Sequence, residues 1–154
     1  MTPVTPGDRF VPWLDTLPSS WKVRPLKYGV AINPQVLLES TPGRYEFRYI
    51  DISAVTATGH IEPSEPMTFD DAPTRPRRVV RRGDTIISTV RTYLKAIAYI
   101  GQDDPDLICS TGFAVLRPTR VMWPKFLFYW VRSSLIVDEI CARSVGVSYR
   151  QSMR

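Results

Sequence analysis

Between positions 75 and 95 the chain places Arg75, Arg77, Arg78, Arg81, Arg82, Arg91 and Lys95 against one carboxylate, Asp84. A guanidinium is a planar fork of donors that fits phosphate oxygens and the guanine edge, and it stays charged at any physiological pH. A cluster of this kind is a candidate footprint for a polyanion. A solvated basic loop with no partner is the plain alternative. Tyr93 falls between Arg91 and Lys95. Alternate residues of an extended stretch share a face, so these three would set two cations beside one aromatic plane. Arg91 has a second reading, as the internal partner of Asp84 or Asp51. Lys22, Arg24 and Lys27 form a weaker basic set.

Charge is distributed unevenly along the 154 residues. The net charge is +5, yet positions 1–70 hold six basic and eight acidic side chains, whereas 71–154 hold fourteen basic and seven acidic. Arginine outnumbers lysine sixteen to four, which favours bidentate contacts to phosphate over point-charge ones. Hydrophobic residues make up 44% and charged residues 23%, ordinary globular usage that excludes wholesale disorder. The longest apolar run, Phe126 to Val131, is six residues, far short of the roughly 20 that a membrane helix needs. The N-terminus has no basic head followed by an apolar core, so a secretory leader is not expected and the cytoplasm is the default.

Candidates for catalysis are weak. His60 is the one histidine and follows Gly59, which reads as a turn. Cys109 and Cys141 lie 32 positions apart in no metal-ligand pattern and read as buried apolar thiols. Phosphate-binding and dinucleotide loops, a hydrolase nucleophile elbow and a methyl-donor loop are missing. Asn33-Pro34-Gln35-Val36 lacks the second proline and the aromatic of an amino-methyltransferase motif. The pairs Asp70-Asp71 and Asp103-Asp104 read as solvated turn residues. No metal and no cofactor is expected.

The elements that would position the basic cluster are mixed. Pro3, Pro6, Pro12 and Pro18 mark an extended arm. Tyr45–Ser53 is a strong strand whose apolar phase shifts from odd (Tyr45, Phe47, Tyr49) to even (Ile50, Ile52), predicting a bulge or burial on both faces. Residues 59–77 read as loop. Arg82-Gly83-Asp84 is a turn. Strands are predicted over Thr85–Val90, Leu94–Ile100, Leu107–Cys109 and Gly112–Leu116. Pro124 at a first helical position opens a helix that runs unbroken from Phe126 to Ala142, its stripe Leu127, Val131, Leu135 and Ile136 packing into the core. Ser144–Arg154 is a polar tail interrupted by Gly146. The fold class is α+β, with short twisted sheets and a few helices.

Several blocks in order resemble one family. They are Leu17-Pro18-Ser19-Ser20-Trp21-Lys22, Tyr49–Ser53, Ala72-Pro73-Thr74-Arg75, Arg81-Arg82-Gly83-Asp84, Ser88–Ala98, Ser110–Pro118 and Ala142–Tyr149. Together they are similar to a target-recognition domain of the specificity subunit of Type I restriction–modification systems, over roughly residues 17–149. The resemblance implies a non-catalytic DNA-binding domain that reads one half of a split site. It implies as partners double-stranded DNA, methyltransferase subunits that use S-adenosylmethionine, and a restriction subunit. It also implies a mixed α and β recognition-domain fold.

On this reading residues 1–16 are an arm, 17–149 one recognition domain and 150–154 a tail, with the family's spacer helix and second domain absent. The chain is then expected to be a truncated subunit or a half-subunit. Residues that read bases are expected in 55–80, where the resemblance is thinnest, and phosphate contacts at Arg75–Arg82. The alternatives are a protein-interaction module or remnant that binds partner subunits through an exposed Leu127, Val131 and Leu135 stripe, and an enzyme whose polar groups converge near His60, Ser110 or Asp51.

Overall fold

A computed structural model describes residues 16–62, 64–72, 76–90 and 95–148, with backbone alone at 76, 77 and 142–148. Among the described residues, eight strands form two four-stranded sheets. The first has the order β1 (Val30–Ile32), β8 (Phe113–Pro118), β5 (Thr85–Ser88), β6 (Ile97–Tyr99), all antiparallel. The second has the order β3 (Pro66–Thr68), β2 (Glu46–Ile50), β7 (Leu107–Ser110), β4 (Pro76–Val79), with β2 and β7 parallel. Helices α1 (Pro124–Arg132) and α2 (Ser134–Ser148) follow.

Strand alternation sorts the apolar side chains into three layers. Ile86, Ala98, Phe113 and Val115 of the first sheet meet Ile50, Leu107 and Cys109 of the second, forming the core between the sheets. The alternate residues of the first sheet, Ile87, Ile97 and Leu116, turn the other way onto Leu127, Val131 and Val137 of the helices. On the outer face of the second sheet, Phe47, Tyr49, Val79 and Ile108 are covered by Leu37, Met67, Phe69 and neighbouring loop residues. The phase shift seen in the sequence at Ile50 has a simple cause. Phe47 and Tyr49 fill the outer cluster and Ile50 the inner one, so the strand is buried on both faces at its end. The bulge lies in β4, between Pro76 and Arg78.

One segment stitches the two sheets together. β1 pairs with β8 of the first sheet, and four residues later Val36 bridges Arg78 of the second. Asn33 makes the corner, in the left-handed region at φ 49°. Its backbone N–H donates to the Val115 carbonyl at 2.8 Å, and its side-chain Oδ1 accepts the Val115 N–H at 2.8 Å. The side chain thus supplies the acceptor that the next strand residue would have given. Asn33→Ala leaves that N–H unpaired and puts a Cβ-bearing residue without a local polar group into a left-handed turn, so a loss of about 2–3 kcal/mol is expected in urea unfolding. Asn33→Asp keeps the acceptor and should stay within about 1 kcal/mol.

The helical region departs from the expectation of one continuous helix. Ser133, at φ −58° and ψ 143°, ends α1, and its carbonyl accepts the N–H groups of Ile136 and Val137, which starts α2. The break resets the buried stripe. Leu127 and Val131 are buried as expected, but Val137 replaces Leu135, which is exposed. Other differences are smaller. α2 continues through Gly146 to Ser148, where a polar tail was expected, and β3 and β4 occupy part of the stretch read as loop. No described helix is long and apolar enough to cross a membrane.

Candidate nucleic-acid interface

The basic region is organised around a carboxylate, Asp84, which sequence reasoning offered as an internal partner of Arg91. Asp84 directly precedes β5 and shares the phase of Ile86, which points between the sheets. Arg117 lies in β8 in phase with Phe113 and Val115. The register pairs Thr85 with Leu116, which sets Asp84 opposite Arg117. The Asp84 side chain is 1% exposed; its Oδ1 accepts Arg117 Nε at 2.9 Å and its Oδ2 accepts Arg117 Nη2 at 2.8 Å. The backbone N–H of Arg81 donates to the same Oδ2 at 2.8 Å. Gly83, at φ +94°, donates to the Ile100 carbonyl, and Ile100 donates back to Asp84. The tight turn Arg81–Asp84 is therefore pinned from three sides, with Asp84 spent internally. Asp84, one of the two carboxylates read in the sequence as a partner for Arg91, thus pairs with Arg117. An Arg in the phase of a buried apolar strand face is the signal that marks an internal ion pair.

The sequence-predicted site residues divide into five groups. Arg81 and Arg82 are exposed on the pinned turn, and Arg81 Nη2 donates to Gln35 Oε1 at 2.8 Å. Arg78 does not join them on open surface. It stands opposite Cys109 in the β4–β7 register, half-buried, and its Nη1 is buried without a hydrogen-bond partner. Its guanidinium is partly drawn inside, whereas Arg81 and Arg82 face solvent. Lys95 is exposed but adopts φ 54°, so it is not part of an extended run and does not share a face by alternation. Lys22, Arg24 and Lys27 are exposed on the segment before β1, with Lys27 Nζ 5.2 Å from the Tyr28 ring centroid. Arg77 belongs to β4 by its backbone, and Arg75, Arg91 and Tyr93 lie outside the described residues.

Two cations that the sequence reading did not single out join the turn. Pro124, the first residue of α1, lies near Gly83, at a distance where a Cβ there would make ordinary van der Waals contact with its Cγ, 3.8 Å away. The first turn of α1 therefore lies near the Arg82–Gly83 turn; it carries the exposed Lys125, and the loop before it carries the exposed Arg120. Arg81, Arg82, Arg120 and Lys125 all face solvent, with Asp84 held inside, and we refer to them as a basic shelf.

A clamped loop lies elsewhere on the first sheet's helical side. Arg132, at the end of α1, donates from Nη1 to the Thr58 carbonyl and from Nη2 to the Ala57 carbonyl at 3.3 Å, while packing 5.3 Å from the Phe128 ring centroid. Gly59, at φ +85°, sits beneath this guanidinium, with the Ile97 carbonyl only 2.7 Å from where a Cβ would stand. The loop Thr56–Ile61 presents Thr58 and His60 to solvent, and Thr56 Oγ1 accepts the His60 N–H. His60 is thus a turn residue, as expected.

The acidic turn Asp103–Asp106 differs from the solvated pair expected there. Asp104 is buried and paired with Arg48, and Tyr45 donates its hydroxyl to Asp106 at 2.9 Å. Burial and, secondarily, Asp106 raise the Tyr45 pKa; burial also raises that of Tyr49. Burial pushes the Cys109 thiol up to about 12, with the nearby Arg78 charge pulling it the other way. A thiol that stays protonated is inert, so Cys109 should resist alkylation by iodoacetamide at pH 8 until the chain unfolds. The sign of the linkage is also set. Above the unfolded thiol value of 9.0 the unfolded chain binds fewer protons than the folded one, so stability should fall as pH rises from about 9 towards 12. Denaturant midpoints measured across that range check it. Among the described residues, no cluster of three His, Cys, Asp or Glu could hold a metal ion.

No family model and no curated protein matches this sequence. Solved structures do. The chain is similar to the HsdS subunit from Thermoanaerobacter tengcongensis, at 35% identity and a TM-score of 0.53, over 72% of this chain and 30% of that one. It is also similar to a chain in a structure of the type I R-M system that addresses complex assembly and conformational transition, at 35% identity and a TM-score of 0.60, over 79% of this chain and 33% of that one. The present chain thus spans about a third of the length of these neighbours. Their likeness bears out the α+β recognition-domain fold expected from the sequence.

Proposed function

We propose that this chain carries a target-recognition domain of the HsdS kind and is a DNA-reading component of a Type I restriction–modification system, inspecting one half of a bipartite duplex site. It contributes binding and no catalysis. Methylation, with S-adenosylmethionine, and cleavage fall to separate modification and restriction subunits that act with it in the cytoplasm in defence against foreign DNA.

The observation that carries this reading is the basic shelf. DNA recognition needs phosphate contacts that hold and orient, and base-edge contacts that specify. Arg81 and Arg82 are exposed on a turn stiffened by the buried Asp84–Arg117 pair, and the exposed Lys125 follows Pro124, which lies near Gly83 of that turn, with the exposed Arg120 four residues before Pro124; this fits the holding role. Arg75, Arg77, Arg91, Tyr93 and Lys95 extend the same footprint in our reading. Base inspection falls to the stretch 55–80, where Thr58 and His60 stand exposed on a loop anchored by Arg132. Selection from a random duplex pool, with and without an added methyltransferase subunit, tests the proposal. A recurrent half-site should emerge; a recovered pool no richer in any motif than the starting one would overturn it.

A further inference from the structure

A second surface differs in kind from the basic shelf. The segment Leu17–Gly29 lies against the start of α1 and leaves a groove of about 450 Å³ between them, lined chiefly by Leu17, Trp21, Leu26, Met122, Phe126 and Trp130. Its walls are apolar and, among the described residues, uncovered, with Trp21 65% exposed and Phe126 52% exposed. Val121, Trp123 and Tyr129 continue the apolar surface beyond it, at 74%, 71% and 68%. Contiguous aromatic exposure on this scale marks an interaction site, not incidental surface.

The charge around the groove selects its occupant. Lys22 and Arg24 stand on the lip, and Lys27, Arg120 and Lys125 lie on the same segments. Neither positions 16–38 nor positions 107–137, which together build the groove and its rim, contain a single Asp or Glu. The cavity suits two or three apolar side chains, and its lining supplies few donors or acceptors for nucleotide bases. We propose that this groove docks an acidic amphipathic segment of a partner protein, whose apolar residues at helical spacing fill the groove while its carboxylates meet the cationic rim. The floor of the groove, Leu26, Met122 and Trp130, packs against the core of Leu127 and Val131, while Trp21 and Phe126 stand exposed at its walls.

A selection from a displayed library of random 16-residue peptides against the full chain tests this. Enriched sequences should be net negative, with apolar residues at i, i+3 or i+4, and i+7. A synthetic peptide of the consensus should lose at least tenfold in affinity for Trp21→Ala or Phe126→Ala, and a similar factor for the exposed pair Lys22→Glu with Arg24→Glu. The same variants should keep their circular dichroism. Enrichment of basic or patternless sequences, absence of enrichment, or affinity unchanged in these variants would overturn the proposal. So would displacement of the peptide by a tighter-binding twelve-residue oligothymidylate, which would assign the groove to single-stranded nucleic acid. Binding seen only after deletion of residues 1–15 would also overturn it, by assigning the groove to the chain's own N-terminal segment.

Discussion

Asp84→Ala is expected to destabilise the protein by about 3–5 kcal/mol, enough to unfold a domain of ordinary stability at moderate temperature. The Asp84 carboxylate is almost wholly buried and accepts three hydrogen bonds, two from Arg117 and one from the Arg81 backbone. Its removal strands the partly buried Arg117 cation between the sheets, and an uncompensated charge there costs more than the pair itself returns. Replacing both partners by apolar residues of similar size, Asp84→Leu with Arg117→Met, should recover a large share of that loss. The Arg81 N–H would then still lack its acceptor, so the recovery falls short of complete. Urea unfolding of the two variants gives the comparison. Equal stability of wild type and Asp84→Ala would mean that the pair does not hold the turn.

The second large effect concerns binding. Charge reversal at Arg82 and Lys125 together should weaken association with every duplex alike, by a hundredfold or more at low salt, because each substitution removes one cation and adds one anion beside the phosphates. The order-of-magnitude expectation follows from the roughly twofold to tenfold change that each unit of charge brings near a polyanion. Both side chains are exposed, so the folded state should survive. Substitution at Arg78 is a contrast within the same stretch. Its guanidinium is partly inside, over Cys109, so Arg78→Glu should act through stability before it acts on DNA. Thermal melts alongside binding curves separate the two.

Much of this architecture was legible in the residues. β-branched runs bounded by turns located β5, β7 and β8, and the phase shift at Ile50 marked a strand buried on both faces. The Pro124 start of α1 followed from proline's fitness for a first helical turn. The elements that escaped are those fixed by partners distant in sequence. β1, three residues long, exists because β8 offers it an edge, and β3 because β2 does. Ser133 interrupts the helix without a proline or glycine to announce it, because the fold needs Val137 rather than Leu135 on the first sheet. The candidate site was legible in composition and only partly in placement. Arginine clustering pointed to the turn at Arg81 and Arg82. Arg78, in the same stretch, is half-buried in β4 opposite Cys109, whereas Arg81 and Arg82 lie beyond the strand on an exposed turn. Lys125, with Arg120 in the loop before it, is associated with the turn because Pro124 lies near Gly83, a tertiary fact that spacing does not encode.

The claim that this protein grips duplex phosphates through a basic shelf is tested most directly by its binding constant for a DNA duplex as salt is varied. With about five phosphates neutralised, log affinity should fall against log salt with a slope near −4.5, about 500-fold between 50 and 200 mM, and Arg82→Ala should flatten that slope by about 0.9. A binding constant indifferent to salt, or a slope that Arg82→Ala leaves unchanged, would contradict it.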